Sequence, residues 1–226
     1  MSFKKVSHVI FDLDGLILDT ERSYEKIMHA MAESHSKEYS PDVKFKLMGT
    51  PEIECARIFV EELNIPITVE ECLKDYYKRI EEELTNPPFM PGATRLIKHL
   101  VTNKIPIAIA TSSGRVTYDI KTKNYQDIFQ LFNHVVCGTN NPEVPKGKPA
   151  PDIFLVCAKY FSDYPDPCNV LVFEDSPNGL RAGLDAGMQV VFVPDHRVGN
   201  EDRTLATLTL DSLEQFKPEL FGLPSF

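Results

Sequence analysis

Residues 6–15 read Val-Ser-His-Val-Ile-Phe-Asp-Leu-Asp-Gly. Val6–Phe11 is a short apolar run with β-branched residues, which predicts a buried strand. Gly15 then ends the run, so Asp12 and Asp14 fall at the strand's carboxyl end. Carboxylates at i and i+2 on extended backbone share a side. That edge is where open α/β sheets receive their ligands. Two acidic residues in a surface turn give the same local pattern, so the rest of the chain has to decide.

Four further apolar runs read as buried strands: Ile105–Ala110, His134–Cys137, Asn169–Phe173 and Gln189–Val193. Helical patterns separate most of them. Ala93, Leu96, Ile97 and Leu100 form one stripe within Pro91–Asn103, and Asp152–Phe161 is similar. Ser176-Pro177 suits an N-cap followed by proline at the first helical position, and Gly187 suits a helix end. Strand–helix alternation predicts an α/β fold, a Rossmann-like doubly wound parallel sheet with helices on both faces. Between Glu21 and about Pro88 no strand is legible. Tyr24, Ile27, Met28 and Met31 repeat at helical spacing, as do Leu73, Tyr76, Tyr77, Ile80 and Leu84. Thr68 with Glu71 has the form of a capping box. A crossover this long exceeds a single helix, which predicts an inserted all-helical cap domain over 18–89. Residues 1–17 and 90–226 would form the core. The Gly/Pro-rich junctions near 15–21 and 86–92 predict that the cap closes over the site.

The chain has 226 residues, 42% hydrophobic and 25% charged, which is ordinary globular usage. Its net charge of −9 argues against a general binder of nucleic-acid polymers or anionic membranes, which would need basic patches. A phosphate ester stays compatible with that charge if a metal and a few local cations reverse the field. Five scattered cysteines without a C-x-x-C pair argue against a disulfide framework or zinc site. The absence of a signal-peptide pattern or a long apolar span predicts a cytoplasmic protein, and a monomer is the default expectation.

A second acidic pair follows a second strand. Val170–Phe173 runs into Glu174-Asp175-Ser176-Pro177-Asn178-Gly179. Two acidic strand ends side by side would offer a hard divalent cation the oxygen ligands it prefers, and burying them without a cation would be costly. Thr111-Ser112-Ser113-Gly114 opens a helix with small hydroxyl residues and free amides, suited either to capping or to an anion. Gly147-Lys148-Pro149-Ala150-Pro151-Asp152 places a lysine in a proline-stiffened segment without the P-loop pattern. By itself Lys148 reads as a solvated surface lysine.

These motifs occur in the order Asp-x-Asp-Gly, Thr-Ser-Ser, Gly-Lys-Pro-x-Pro-Asp-Ile-Phe and Phe-Glu-Asp-Ser-Pro-Asn-Gly. In that order the chain resembles the haloacid dehalogenase-like (HAD) phosphatases along essentially its whole length. It is most similar to the pseudouridine-5′-phosphatase-like branch. The carriers of that likeness are Phe-Asp-Leu-Asp-Gly-Leu-Ile-Leu-Asp-Thr-Glu-Arg at 11–22, Ala-Gly-Met-Gln-Val-Val at 186–191 and the tail Pro-Glu-Leu-Phe-Gly-Leu-Pro-Ser-Phe.

The resemblance implies a phosphoric monoester hydrolase that uses Mg²⁺ and an aspartyl-phosphate intermediate on a small phosphate monoester. Pseudouridine 5′-phosphate, or a related nucleotide, sugar or polyol phosphate, is the implied substrate. Asp12 would be the nucleophile and Asp14 the general acid, then base. Thr111, the Ser112 amide and Lys148 would hold the phosphoryl group. Asp12, the Asp14 carbonyl and Asp175 would ligate the metal, with Glu174 direct or through water. Lys46–Pro51, centred on Gly49, is the candidate specificity loop. Asp14 disfavours dehalogenase and phosphonatase chemistry, which typically lack an acid there. A β-phosphoglucomutase-type mutase shares all four motifs but typically carries a histidine ten residues beyond the general acid, where this chain has Tyr24. A non-catalytic phospholigand-binding protein is the alternative from another class.

Overall fold

The structure is a computed structural model and describes residues 3–47 and 50–226. Six parallel strands run β1 (His8–Phe11), β2 (Ile107–Thr111), β3 (His134–Cys137), β4 (Val170–Glu174), β5 (Gln189–Phe192) and β6 (Leu208–Thr209). Their spatial order is β3-β2-β1-β4-β5-β6. The chain therefore builds outward from β1 in one direction, returns, and builds outward from β4 in the other. The α/β, doubly wound parallel sheet is as expected, and the order reverses between β1 and β4. Register there pairs Ile10 with Val172 and Phe11 with Phe173. A reversal point opens a crevice beyond the strands' carboxyl ends, and both acidic motifs stand at its rim.

Side-chain alternation splits the core into two layers. Val9, Phe11, Ile107, Ile109, Leu171 and Phe173 face one cluster, while Ile10, Ala108, Ala110, Val170 and Val172 face the other. On the first face α5 (Ala93–Thr102) buries Ala93, Leu96, Ile97 and Leu100. On the second, α8 (Asp152–Lys159) buries Ile153, Phe154, Cys157 and Ala158. The tail closes the first layer: Phe216 packs edge-on to Phe173 at 4.8 Å, and Phe221 stacks on Phe3 at 4.7 Å.

Between β1 and α5 lie α1 (Glu21–Ser34), α2 (Pro41–Leu47), α3 (Glu52–Leu63) and α4 (Val69–Glu83). They enclose an apolar cluster of their own, including Ile27, Met31, Phe59, Ile80 and Leu84. The reciprocal Thr68–Glu71 capping box forms at the start of α4. The two chain passages between insert and sheet are laced together. Leu18 bridges antiparallel to Phe89, the Asp19 amide donates to the Pro88 carbonyl at 2.8 Å, and Met90 donates to Ile17 at 2.9 Å.

Helices α6 (Arg115–Thr122), α7 (Gln126–Phe129), α9 (Pro177–Asp185) and α10 (Asn200–Leu205) complete the fold. The Ser176 hydroxyl caps α9 by accepting from the Gly179 amide at 3.0 Å, with Pro177 behind it. Strand β6 escapes the sequence reading because it has two half-buried edge residues, too few to show alternation. No helix among the described residues is long and apolar enough to cross a membrane.

Phe173 is fully buried and stacks on Phe11 at 5.0 Å across the central strand pair. Phe173→Ala is expected to cost about 3–5 kcal/mol of unfolding free energy, read by chemical denaturation.

Candidate active site

Asp12 directly follows β1, and its amide donates to the Phe173 carbonyl at 3.0 Å, which fixes its position against β4. Its side chain is buried, as are Lys148 and Glu174. The Lys148 ammonium donates to Asp12 Oδ1 and Glu174 Oε1, each at 2.5 Å, and to the Ala110 carbonyl at 3.1 Å. The lysine that reads locally as a surface residue thus ties β1, β2 and β4 together. Burial alone would lower its pKa, but the two carboxylates reverse this and push it up.

Glu174 closes β4. Its Oε2 accepts from the Asp175 and Ser176 amides at 3.0 and 3.1 Å and from the Ser176 hydroxyl at 3.1 Å. Its charge is therefore compensated by Lys148 and by the start of α9. Asp175 is different. Burial raises its pKa well above the carboxylate range, and Glu174, Asp12 and Glu21 raise it further. Asp12 is likewise pushed up to about 7, first by burial and then by Glu174 and Asp14, against the opposing pull of Lys148.

Asp12, Glu174 and Asp175 offer oxygens within 4.8 Å of one another. Three carboxylates and one ammonium leave an excess of two negative charges, which matches a divalent cation. Hard oxygen donors suit such an ion. All three come from the two acidic strand ends singled out in the sequence, without the Asp14 carboxylate.

Asp14 has a separate environment. Its Oδ1 accepts from Thr20 Oγ1 at 2.8 Å, and its Oδ2 accepts from Ser113 Oγ at 2.9 Å and Thr111 Oγ1 at 3.3 Å. Lys121 Nζ lies 2.7 Å from both oxygens. Burial would raise this carboxyl, but Lys121, Thr20 and Ser113 outweigh it and hold the pKa below the ordinary range. The i, i+2 argument placed both aspartates on one side of a strand. In fact β1 stops at Phe11 and Gly15 turns at φ +84°, so the two carboxylates line one cavity with different partners. The Asp14 carboxylate is outside the group of Asp12, Glu174 and Asp175. For a cation at that group it has only its main-chain carbonyl to give.

Thr111 ends β2 and is buried; its Oγ1 also accepts from the Ser113 amide at 3.1 Å. Thr111, Ser112 and Lys148 all line the same cavity of about 150 Å³. Gly49, the other expected substrate contact, lies outside the described residues, while its neighbours Leu47 and Thr50 line the cavity.

Three participants were not singled out from the sequence. Lys121 is fully buried and also donates to Ser113 Oγ at 2.7 Å and to the Tyr24 hydroxyl of α1 at 3.0 Å. Its position was legible: Lys121 falls on the same helical face as Thr117 and Tyr118, both buried. Thr20 joins Asp14 from the turn before α1. Glu52 of α3 is buried, accepting from Thr117 Oγ1 at 2.7 Å, the Gly114 amide at 3.3 Å and Tyr77 OH at 2.8 Å. A carboxylate from the insert thus caps a core helix, and no local sequence signal announces it.

Gly15 is constrained twice. Beyond its positive φ, a Cβ there would lie 2.2 Å from Asp175 Oδ2. Gly15→Ala is expected to cost about 1–3 kcal/mol of stability, and to weaken divalent-cation affinity by roughly tenfold or more as Asp175 is displaced. Calorimetric titration with the cation measures the second effect.

Comparison with known proteins agrees with this geometry. The chain is 48% identical to a Drosophila melanogaster protein named "Probable pseudouridine-5'-phosphatase", over 99% of this chain and 96% of the relative. It is 45% identical to (DL)-glycerol-3-phosphatase 2 of Arabidopsis thaliana, over 98% of this chain and 93% of that protein. Among solved structures, a family IA HAD hydrolase from Entamoeba histolytica has the same fold. It superposes with a TM-score of 0.79 at 23% identity, covering 96% of this chain and 97% of that one. The profile of the haloacid dehalogenase-like hydrolases matches residues 9–193. With the doubly wound sheet, the paired acidic strand ends and that match in agreement, the chain belongs to the haloacid dehalogenase-like hydrolase family.

Proposed function

We propose that this protein is a Mg²⁺-dependent phosphatase that hydrolyses a small phosphate monoester through an aspartyl-phosphate on Asp12. The observation that carries this reading is the buried Asp12–Lys148–Glu174 bridge with Asp175 beside it. It supplies a nucleophilic carboxylate, a cation for the phosphoryl oxygens and a doubly negative seat for a divalent ion. Phosphatase-named relatives along the whole chain support the same class.

Asp12, Asp175 and the Asp14 carbonyl would hold Mg²⁺, with Glu174 direct or through water. Bound there, the ion supplies charge neutralisation of the phosphoryl group and of Asp12. Lys148 and the Thr111–Ser112 segment bind and orient the phosphoryl oxygens. Asp12 attacks phosphorus as the bond to the ester oxygen breaks, and Asp14 gives that oxygen a proton. Asp14 then takes a proton from the water that cleaves the acyl phosphate, which returns Asp12 free with inorganic phosphate.

The environment of Asp14 matches the second of these steps. Five hydrogen-bond donations from Lys121, Thr20, Ser113 and Thr111 keep it an acceptor. To deliver a proton in the first step, it gives up at least one of its bonds to Lys121. The helical insert covers the cavity and limits the water that reaches the intermediate.

Pseudouridine 5′-phosphate and glycerol phosphate, named in the relatives, head the substrate panel. Tyr24 stands where mutases typically carry histidine, so net phosphate release is expected, not isomerisation of a sugar phosphate. Asp12→Asn should lower phosphate release by at least about 10³-fold with the fold intact. An active Asp12→Asn protein, or a wild type inert on a broad ester panel, would overturn the reading.

Metal binding should show in stability. Asp12 titrates near 7 in the folded protein against an ordinary 3.8. Between these values the metal-free folded state keeps a proton that the unfolded chain has lost. Metal-free stability therefore falls as pH rises through that window. Mg²⁺ displaces the proton, so its stabilising effect should be larger at pH 8 than at pH 5.5. At a hundredfold excess over Kd it contributes about 2.7 kcal/mol, a Tm rise of roughly 5–11 °C. Thermal melts with and without Mg²⁺ at the two pH values check this.

A further inference from the structure

The wall that the insert gives the cavity differs in charge from its phosphate end. Two cations line the cavity among the described residues, Lys148 and Lys44. Lys148 belongs to the phosphate end. Lys44, on α2, is 13% exposed and held at 2.7 Å by Glu25 of α1. Against it the insert presents three carboxylates to the cavity: Glu21, Glu25 and Glu52. Glu52 is fully engaged by Thr117, Gly114 and Tyr77. Glu21 makes no ion pair among the described residues. Burial raises its pKa; Lys44 and, more weakly, Arg197 oppose this, while the carboxylates of Asp14 and Glu25 add to it. The remaining polar groups on this wall include the hydroxyls of Tyr24, Tyr39 and Tyr76, with the Tyr24 and Tyr76 rings stacked at 6.4 Å.

We propose that this wall makes Glu21 a specificity-determining residue, which admits esters of neutral, hydroxyl-bearing alcohols and excludes esters whose alcohol half carries a second anionic group. The inference rests on the phosphatase reading above and concerns the leaving group alone. A neutral alcohol can donate its hydroxyls to Glu21 and exchange hydrogen bonds with the tyrosines. A carboxylate or second phosphate would face Glu21 in a partly dehydrated cavity, where like charges repel strongly. The lining cation other than Lys148, Lys44, would first have to leave Glu25.

The same wall separates hydrolysis from phosphoryl transfer between two hydroxyls of one sugar. Such a transfer through Asp12 requires a sugar monophosphate to face the phosphorylated aspartate. Its own phosphate then lies against this wall, and the product of that encounter is a bisphosphate. The wall has no unpaired cation among the described residues to seat it.

A matched pair of esters tests the proposal. Glycerol 1-phosphate and 3-phosphoglycerate share a carbon skeleton and differ at one terminus, hydroxymethyl against carboxylate. Wild type should prefer the glycerol ester by roughly 100-fold in kcat/KM. Glu21→Gln should narrow that ratio by about tenfold, chiefly through a lower KM for the phosphoglycerate. Glu25→Gln, which frees Lys44, should narrow it in the same direction. An aryl phosphate without a second charge serves as the reference to which the kcat/KM values of both variants are normalised.

Equal use of the two esters by wild type would overturn the proposal while leaving the phosphatase reading in place. So would parallel losses on both esters in the two variants. No turnover of any of the three esters by wild type would overturn the phosphatase reading and this proposal together.

Discussion

The Lys148 ammonium is held out of water between Asp12 and Glu174, and most of the site follows from that burial. Two buried carboxylates facing each other across β1 and β4 would otherwise repel and carry large desolvation costs. The ammonium satisfies one oxygen of each and donates its third bond to the Ala110 carbonyl near the end of β2. Three neighbouring strands are thereby joined at the edge where the sheet's winding order reverses. Asp175 is the acid of the cluster with no ion pair among the described residues; burial first, then Glu174 and Asp12, raise its pKa well above the carboxylate range. The cation preference of the site is in this sense a remainder, set by what Lys148 does not neutralise.

A second lysine plays the parallel part for Asp14. Lys121 is reached from α6 and touches both the carboxylate and the Tyr24 hydroxyl of the insert. Glu52 answers from the other direction, carrying an insert carboxylate to the first turn of the same helix. Helix α6 is thus bound to the insert at both ends, and Lys121 at one of them also holds the Asp14 carboxylate. Any displacement of the insert reaches Asp14 through groups in direct contact with it.

Much of this was legible along the chain because it depends on local pattern. The apolar runs before Asp12 and Glu174 are buried on both faces, so they read as continuous hydrophobic segments, and their acidic ends follow directly. The insert was legible from the mismatch between its length and a single crossover. What escaped depends on distance. Nothing near Lys148 in sequence reveals that two carboxylates await it, 136 and 26 residues away. Lys121 could have been found from helical periodicity alone, since a charged residue on a buried face demands a partner. Glu52 could not, because two of its partners, Gly114 and Thr117, belong to another part of the fold. The shared-side argument for Asp12 and Asp14 assumed extended strand, whereas β1 ends at Phe11; the two carboxylates still line one cavity, each with its own partners.

The paired passages at Ile17–Asp19 and Pro88–Met90 have a mechanical meaning. Two unconnected tethers would let the insert swivel and shear over the sheet. Main-chain bonds and the Leu18–Phe89 bridge splint these two into a narrow ribbon. A ribbon flexes readily across its plane and resists bending within it. The joint therefore has the form of a flat strap, which resists shear of the insert over the sheet more than bending across the strap's own plane.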